Sequence, residues 1–271
     1  MEGDFDYLIM GDSVQKTGIR PVKVNDDLLN IGLPGAKPLS QYLLLKRYLE
    51  HHDPPKTVFL YIDPEDPRDS FYMILRYFVN IPEFIEIFQD LTWKEREIFF
   101  LRYLASIDLR KTGLVKRDEF QGSNSEFVKT LLDNRGFMPS PRSDISLPPN
   151  YFEKNTERVT DNITMTERDM KYLDKLMKLL SEHKIDVVFL HFLEPRGLRV
   201  ELEETGFNRN YNDFIRLMKR KYPEVYFAKN PILVMGNSLF GDMSHVNARG
   251  SEVFTEIFRD KIFKHFAAKK R

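Results

Sequence analysis

The residue types that together activate a hydroxyl stand at the two ends of this 271-residue chain. Near the start, the apolar run Phe5-Asp6-Tyr7-Leu8-Ile9-Met10 breaks abruptly at Gly11-Asp12-Ser13. A run of strand length, ended by a glycine and followed by a hydroxyl, reads as the first strand of a buried sheet delivering Ser13 to its carboxyl end. Near the other end, Gly241-Asp242-Met243-Ser244-His245-Val246-Asn247 holds an acid and an imidazole three residues apart. A serine hydroxyl is a poor nucleophile until an imidazole takes its proton, and the imidazole needs a carboxylate to fix its tautomer and balance its charge. Ser13, His245 and Asp242 supply these three roles. The tetrahedral intermediate of acyl transfer also needs donors for its oxyanion. The backbone N–H of Ser13 is one candidate and that of Gly35, in Gly32-Leu33-Pro34-Gly35, is a second, because glycine admits close backbone approach. An ordinary strand-to-helix turn explains the same glycines equally well on spacing alone.

These residues can meet only if the intervening elements bring both ends to one edge. Leu28 to Ile31 reads as a second short strand, and Leu39, Tyr42, Leu43, Leu45 and Leu49 follow at helical spacing up to His51-His52-Asp53-Pro54-Pro55. His51 and His52 fall in the last turn, where an imidazole suits the negative end of the helix dipole. Thr57 to Ile62 is a continuous apolar run ending at Asp63-Pro64, as expected of a central parallel strand. Residues 64–165 interrupt the alternation and read as an insertion or cap, with aromatic helical segments at Phe71 to Gln89, divided or kinked at Pro82, and at Trp93 to Ile107. Its aromatics are expected to pack on the main body rather than line an acyl pocket or face a membrane. From Phe137 to Thr166 the chain is rich in Pro, Ser and Asn, an irregular stretch returning across the surface.

Alternation resumes with a helix from Thr166 to His183, a buried strand over Asp186 to Leu193 containing His191, and a helix over Tyr211 to Tyr222. His191 is expected to be a satisfied core histidine. Short strands follow at Val225 to Ala228 and Ile232 to Met235, then a last helix from about Ala248 to Phe266. The pattern is that of a doubly wound α/β domain spanning 1–271. In a parallel sheet Ser13 after the first strand and the Asp242 loop after the last both open at the carboxyl edge.

Composition bounds the function classes. Lys plus Arg and Asp plus Glu are 41 each, so nothing in the net charge calls for nucleic acid, and no nucleic-acid partner is expected. Hydrophobic residues at 42%, with 22 phenylalanines, supply a core without staples. The absence of cysteine excludes disulfides, thiolate metal sites and cysteine nucleophiles, and the histidines are too scattered for a metal centre. No metal or cofactor is expected. No apolar run approaches the roughly 18 to 20 residues of a membrane span. Met1-Glu2-Gly3 leads so directly into a core strand that a natural start further upstream, with a removed anchor or signal, is the expectation.

Gly11-Asp12-Ser13 after an N-terminal strand, the glycine turn after the second strand, and Asp242-x-x-His245 before a C-terminal helix together resemble the SGNH, or GDSL, hydrolase superfamily. Asn30-Ile31-Gly32-Leu33-Pro34-Gly35-Ala36 and Asp242-Met243-Ser244-His245-Val246-Asn247-x-x-Gly250 are similar to its envelope branch: the alginate O-acetyltransferase-like proteins, the teichoic-acid D-alanyl transfer protein and a related uncharacterised bacterial family. The resemblance covers the two ends and the strand framework, not the insertion. It implies a three-layer α/β/α flavodoxin-like fold and serine-dependent ester hydrolysis or O-acyl transfer, with Ser13 as nucleophile, His245 as base and Asp242 as its orienter. A cell-envelope carbohydrate or related ester is the implied substrate, a membrane protein of the envelope a possible partner, and a periplasmic or extracytoplasmic place the implied location, with the cytoplasm as alternative. One departure matters: many members carry a Gly-x-Asn-Asp block after the third strand whose Asn completes the oxyanion hole, whereas this chain has Asp63-Pro64-Glu65-Asp66. A carboxylate there repels a developing oxyanion unless it points away.

A second function class follows from that departure, a catalytically weak or inactive binding or assembly module that keeps the fold and uses its insertion for a partner. A nucleotide- or phosphate-binding reading has less support, because the loop after the first strand has only Gly11 and Gly18 and lacks a phosphate cradle.

Overall fold

Leu8, Ile9 and Met10 are completely buried, as a strand with neighbours on both edges and cover on both faces requires. They belong to β1 (Tyr7–Met10), which pairs in parallel with β2 (Leu28–Asn30) on one side and β3 (Thr57–Leu60) on the other. The structure, a computed structural model, describes residues 4–63, 81–97, 99–100, 129, 131–152, 163, 165–190, 192–227 and 232–269. Beyond β3 come β4 (Asp186–Phe189) and β6 (Tyr226–Phe227), and the five-stranded parallel sheet has the order β2-β1-β3-β4-β6. The protein is therefore an α/β protein with a central parallel sheet, as the alternation predicts.

The predicted single strand over Asp186 to Leu193 is corrected to two. After β4, β5 (Phe192–Pro195) pairs in parallel with β7 (Ile232–Met235) as a separate two-stranded sheet. The sequence hides this break because the run from Val187 to Leu193 crosses it with no Gly or Pro to mark a turn. Pairing extends through Glu194 and Pro195, which the sequence reading had placed beyond the strand. His191, between the two pieces, lies outside the described residues.

The helices form near where periodicity predicts them, except that Arg199–Glu204 is an unpredicted short helix and the one predicted from Tyr211 begins at Phe207. The first, α1 (Ser13–Gly18), is short; α2 (Pro38–His51) connects β2 to β3. Of the insertion, α3 (Ile81–Asp90) is described, with further helical residues at 93–97, whereas 64–80 and 101–128 lie outside the described residues, so the expected kink at Pro82 falls at their boundary. Ile87, Leu91 and Phe99 pack with Leu39, Leu43 and Tyr172 in a second apolar cluster, so this part of the insertion rests on the main body as expected. Tyr172 belongs to α4 (Glu167–Glu182), capped by Thr166, whose Oγ1 accepts the Asp169 N–H at 3.1 Å, and α4 packs along α2.

After β5 come α5 (Arg199–Glu204) and α6 (Phe207–Lys221), which brings Phe207, Tyr211, Phe214, Ile215 and Met218 into the core. The last helix starts at Ala248, as predicted, but α7 (Ala248–Ile257) passes through a π-helical stretch, Phe258–Phe263, before α8 (Lys264–Lys269). The wider turn lets Phe258 and Phe263 both pack on Phe59 of β3. His51 and His52 end α2 as predicted: the His52 ring stacks on Tyr48 and its Nδ1 lies 3.5 Å from Asp4. Among the described residues, no helix is long and apolar enough to cross a membrane.

Candidate active site

Ser13 opens α1 directly after β1, so its side chain stands at the carboxyl end of the strand, beside the point where the chain turns to β2 on one side and later to β3 on the other. Crevices at such switch points are where open parallel sheets place ligands. Asp12 caps the helix: its Oδ1 accepts the Val14 N–H at 2.8 Å. That bond leaves the Ser13 N–H without an acceptor among the described residues and fixes the backbone that carries the hydroxyl.

The other half comes from the loop between β7 and α7. Asn247 caps α7, taking the Gly250 N–H on Oδ1 at 2.9 Å. Ahead of it the chain closes a tight turn in which Asp242 Oδ1 accepts the N–H groups of Ser244 (2.9 Å) and His245 (2.8 Å). The same carboxylate meets the ring: both of its oxygens lie 3.0 Å from His245 Nδ1. On the far side of the ring, Nε2 is 2.7 Å from Ser13 Oγ. The three residues predicted to act together are thus joined in one hydrogen-bonded chain across 232 positions of sequence. With Nδ1 donating to Asp242, Nε2 is left as the acceptor that faces the serine hydroxyl.

The two halves are held by α1 packing against α7. Arg20 follows α1 and reaches α7 with three contacts: Nε to Ser251 Oγ (3.0 Å), Nη2 to the Ala248 carbonyl (3.0 Å) and Nη1 to Glu252 (3.3 Å). Its own N–H is accepted by Thr255 Oγ1 at 3.1 Å. A planar guanidinium with several donors fixes orientation as well as distance.

The chain matches no family model and no curated protein sequence. What the site can do is therefore read from its own geometry and charge.

Asp242 is half-buried, which pushes its carboxyl up, but the bonds from the His245 ring and the two backbone N–H groups outweigh burial and hold it well below the usual carboxylate range. His245 is pushed above the ordinary histidine value, chiefly by its hydrogen bond to Asp242; burial and Arg142 oppose this, and the charge of Asp12 adds to it. The imidazole therefore sits beside a carboxylate that keeps its charge into acid pH.

Gly35 adopts a left-handed φ of 67° in the turn after β2. Its turn is tied to the serine backbone, because the Leu33 N–H bonds the Gly11 carbonyl at 3.0 Å. Gly32 lies closer still: a Cβ there would sit 3.2 Å from the Asp12 carbonyl oxygen. Its N–H is already taken by Asn30 Oδ1 at 3.0 Å, whereas the Gly35 N–H has no acceptor among the described residues. Of the two glycines, only Gly35 has an N–H without an acceptor among the described residues.

Three residues of the neighbourhood escaped the sequence reading. Arg142 lies in the irregular segment after the insertion, with Nη1 3.8 Å from Asp242 Oδ2. That segment runs across the surface as expected, with most of residues 141–150 exposed, and is tied to the site's loop: the Ser143 carbonyl accepts the Ala248 N–H, Leu147 donates to the Phe240 carbonyl, and Asn247 Nδ2 reaches the Ile145 carbonyl at 2.8 Å. Lys37, at the start of α2, is buried and donates from Nζ to the Asp63 carbonyl at 3.0 Å. Asp12 is also buried, and burial together with the charge of Asp63 pushes its carboxyl up to about 7, against the opposing Val14 hydrogen bond, His245 and Lys37. The capping role of Asp12 was recoverable, since Asp preceding a short polar helix is a cap signal; the Lys37 contact is non-local and left no pattern. Among the described residues, no group of three or more His, Cys, Asp or Glu side chains is placed to hold a metal.

Proposed function

We propose that this protein is an SGNH-type acyl-transfer enzyme with a three-layer α/β/α, flavodoxin-like fold, acting on an ester of a cell-envelope carbohydrate or a related ester. The observation that carries the reading is the unbroken chain Ser13 Oγ to His245 Nε2 (2.7 Å) and His245 Nδ1 to Asp242 (3.0 Å) at the carboxyl edge of the sheet. The strand order β2-β1-β3-β4-β6 supports the flavodoxin-like assignment. The envelope location and a membrane-protein partner rest on the sequence resemblance alone.

In this reading Ser13 Oγ attacks the ester carbonyl carbon while its proton passes to His245 Nε2, and Asp242 stabilises the imidazolium that results. The carbonyl oxygen becomes an oxyanion received by the N–H groups of Ser13 and Gly35. As the tetrahedral species collapses, the ester C–O bond breaks and His245 returns the proton to the departing alkoxide. Water or an acceptor hydroxyl then attacks the acyl-serine, giving hydrolysis or transfer, with His245 again the base.

A fluorophosphonate probe tests the assignment directly. It is expected to label the wild-type protein at Ser13, and Ser13→Ala and His245→Ala are each expected to abolish labelling; persistent labelling of Ser13→Ala would refute the nucleophile. The block Asp63-Pro64-Glu65-Asp66, standing where the resemblance calls for Gly-x-Asn-Asp, is the observation that favours the alternative of a binding or assembly module. Absence of labelling, together with tight binding of an envelope glycan or membrane protein, would select that reading.

A further inference from the structure

The register of the sheet puts two side chains of unlike purpose at one edge. Met10 of β1 pairs with Leu60 of β3, and three residues beyond each stand Ser13 and Asp63. Tyr61 keeps the two chains together past the paired positions by donating to the Met10 carbonyl at 2.8 Å. Asp63 thus leaves the sheet beside the nucleophile, where a carboxylate opposes a developing oxyanion. Its charge is felt there, since it acts together with burial to push up the neighbouring Asp12.

Lys37 meets this carboxylate from the opposite side. Its ammonium donates to the Asp63 carbonyl oxygen at 3.0 Å and lies 3.5 Å from Asp63 Oδ2. The lysine side chain is only 6% exposed, so this is a cation withdrawn from water at a defined place. Its backbone is fixed too: Ser40 Oγ accepts the Lys37 N–H and donates to the Lys37 carbonyl, both at 2.9 Å. Lys37 follows Gly35 by two residues, so the turn that carries the second oxyanion donor also anchors the lysine.

We propose that Lys37 is a positioning residue of the acyl-transfer site, acting through Asp63: it holds that carboxylate and offsets its charge at the edge where the oxyanion forms. The inference rests on the acyl-transfer reading and accounts for how a site with the Asp63 carboxylate at its edge tolerates negative charge in its transition state. Asp12 transmits the pair's field to the base, being influenced by Asp63, Lys37 and His245, while His245 itself faces Asp242, Asp12 and Arg142.

The test measures the rate of fluorophosphonate labelling across pH for the wild type, Lys37→Met, Asp63→Asn and the double variant, with melting curves to verify folding. Lys37→Met removes the compensating charge that Lys37 supplies, so labelling is expected to slow by about tenfold or more. The acidic limb of its pH profile should move to higher pH, because added negative potential favours protonated His245. Asp63→Asn should move that limb to lower pH, and the double variant should recover most of what Lys37→Met loses. Equal impairment of Lys37→Met and the double variant would overturn the proposal, as would a Lys37→Met profile superimposable on the wild type. Should Lys37→Met fail to fold, Asp63→Asn alone decides: a limb displaced to lower pH supports the coupling, an unmoved one overturns it. A wild-type protein that is never labelled would sink the acyl-transfer reading instead. The titration of the His245 ring by NMR in the same variants then reads the coupling without activity, the same displacements supporting it and unchanged midpoints rejecting it.

Discussion

Asn247 ties the loop that carries His245 to the irregular segment after the insertion, donating from Nδ2 to the carbonyls of Ile145 and Ser238 at 2.8 Å each. Its Oδ1 caps α7 at the same time. With the Phe240 carbonyl also within 3.5 Å of Nδ2, one side chain meets four backbone groups, two residues after the imidazole. Replacing it by Ala removes a cap worth about 1 kcal/mol and leaves carbonyls short of donors at about 1–3 kcal/mol more. Asn247→Ala is expected to lower the melting temperature by roughly 5–15 °C, and to slow probe labelling of Ser13 because His245 loses its support. A melting temperature within a degree or two of the wild type would show that the segment is held by other contacts.

Space rather than conformation makes Gly250 irreplaceable. A Cβ at this position would lie 1.9 Å from the Leu239 carbonyl oxygen and 2.9 Å from Val246 Cβ, both fixed parts of the loop around the triad. Gly250→Ala should cost about 3 kcal/mol or more through backbone displacement. Gly236, in the same loop, has nothing within 4 Å of its would-be Cβ, so Gly236→Ala should stay within about 1 kcal/mol of the wild type. Urea unfolding of the two variants side by side checks the contrast, and comparable midpoints would contradict it.

These contacts show which parts of the molecule sequence can carry. The strands β1 and β3 and the helix α4 are legible because burial imposes a local pattern: continuous apolar runs for the strands, and Thr166 followed by a 3.6-residue stripe for the helix. The triad is legible because each member sits at a boundary such patterns define. The break between β4 and β5 is not, since the run from Val187 to Leu193 crosses it with no Gly, Pro or other turn residue to mark it. Nor is the packing of Arg142 on Asp242, or of Lys37 on Asp63, because each depends on a tertiary meeting of segments with no local signature. The π-helical turn at Phe258 is likewise set by what Phe258 and Phe263 must touch on β3, not by their spacing.

The buried carboxyl of Asp12 should make stability fall as pH rises. Its folded-state value is pushed up to about 7 from an ordinary 3.8, first by burial and then by Asp63. A raised value means that the folded state holds the proton more tightly. The contribution is complete below pH 3.8 and is lost as pH climbs through 7, at up to about 1.4 kcal/mol per unit. Asn at this position keeps an oxygen for the Val14 N–H and carries no charge. Asp12→Asn is therefore expected to melt several degrees above the wild type at pH 8 and to lose that advantage at pH 4, measured by calorimetry across the range. A constant offset at every pH would mean that Asp12 does not titrate in the folded protein.

For the Asp242–His245 pair the two signs differ. Asp242 is held below its ordinary 3.8, so its stabilising contribution is present above that pH and disappears as pH falls through the depressed folded value. His245 is raised above 6.5, so its contribution is full below 6.5 and is lost as pH rises through the folded value. The pair stabilises the loop most between these two ordinary values, so Asp242→Asn should be most destabilising there, less so at pH 9 where the imidazole is neutral, and least in acid below the depressed folded value of Asp242. The proposed acyl transfer needs the opposite protonation state, because only a neutral imidazole could accept the Ser13 proton. Wild-type labelling should therefore rise with pH through a midpoint above 6.5. In Asp242→Asn the Nδ1 proton loses its charged acceptor, which should move that midpoint down and slow labelling by about 10³–10⁴-fold at its plateau. A slowed rate with an unmoved midpoint would show that Asp242 orients the ring without setting its basicity, and an unchanged rate would remove it from the triad.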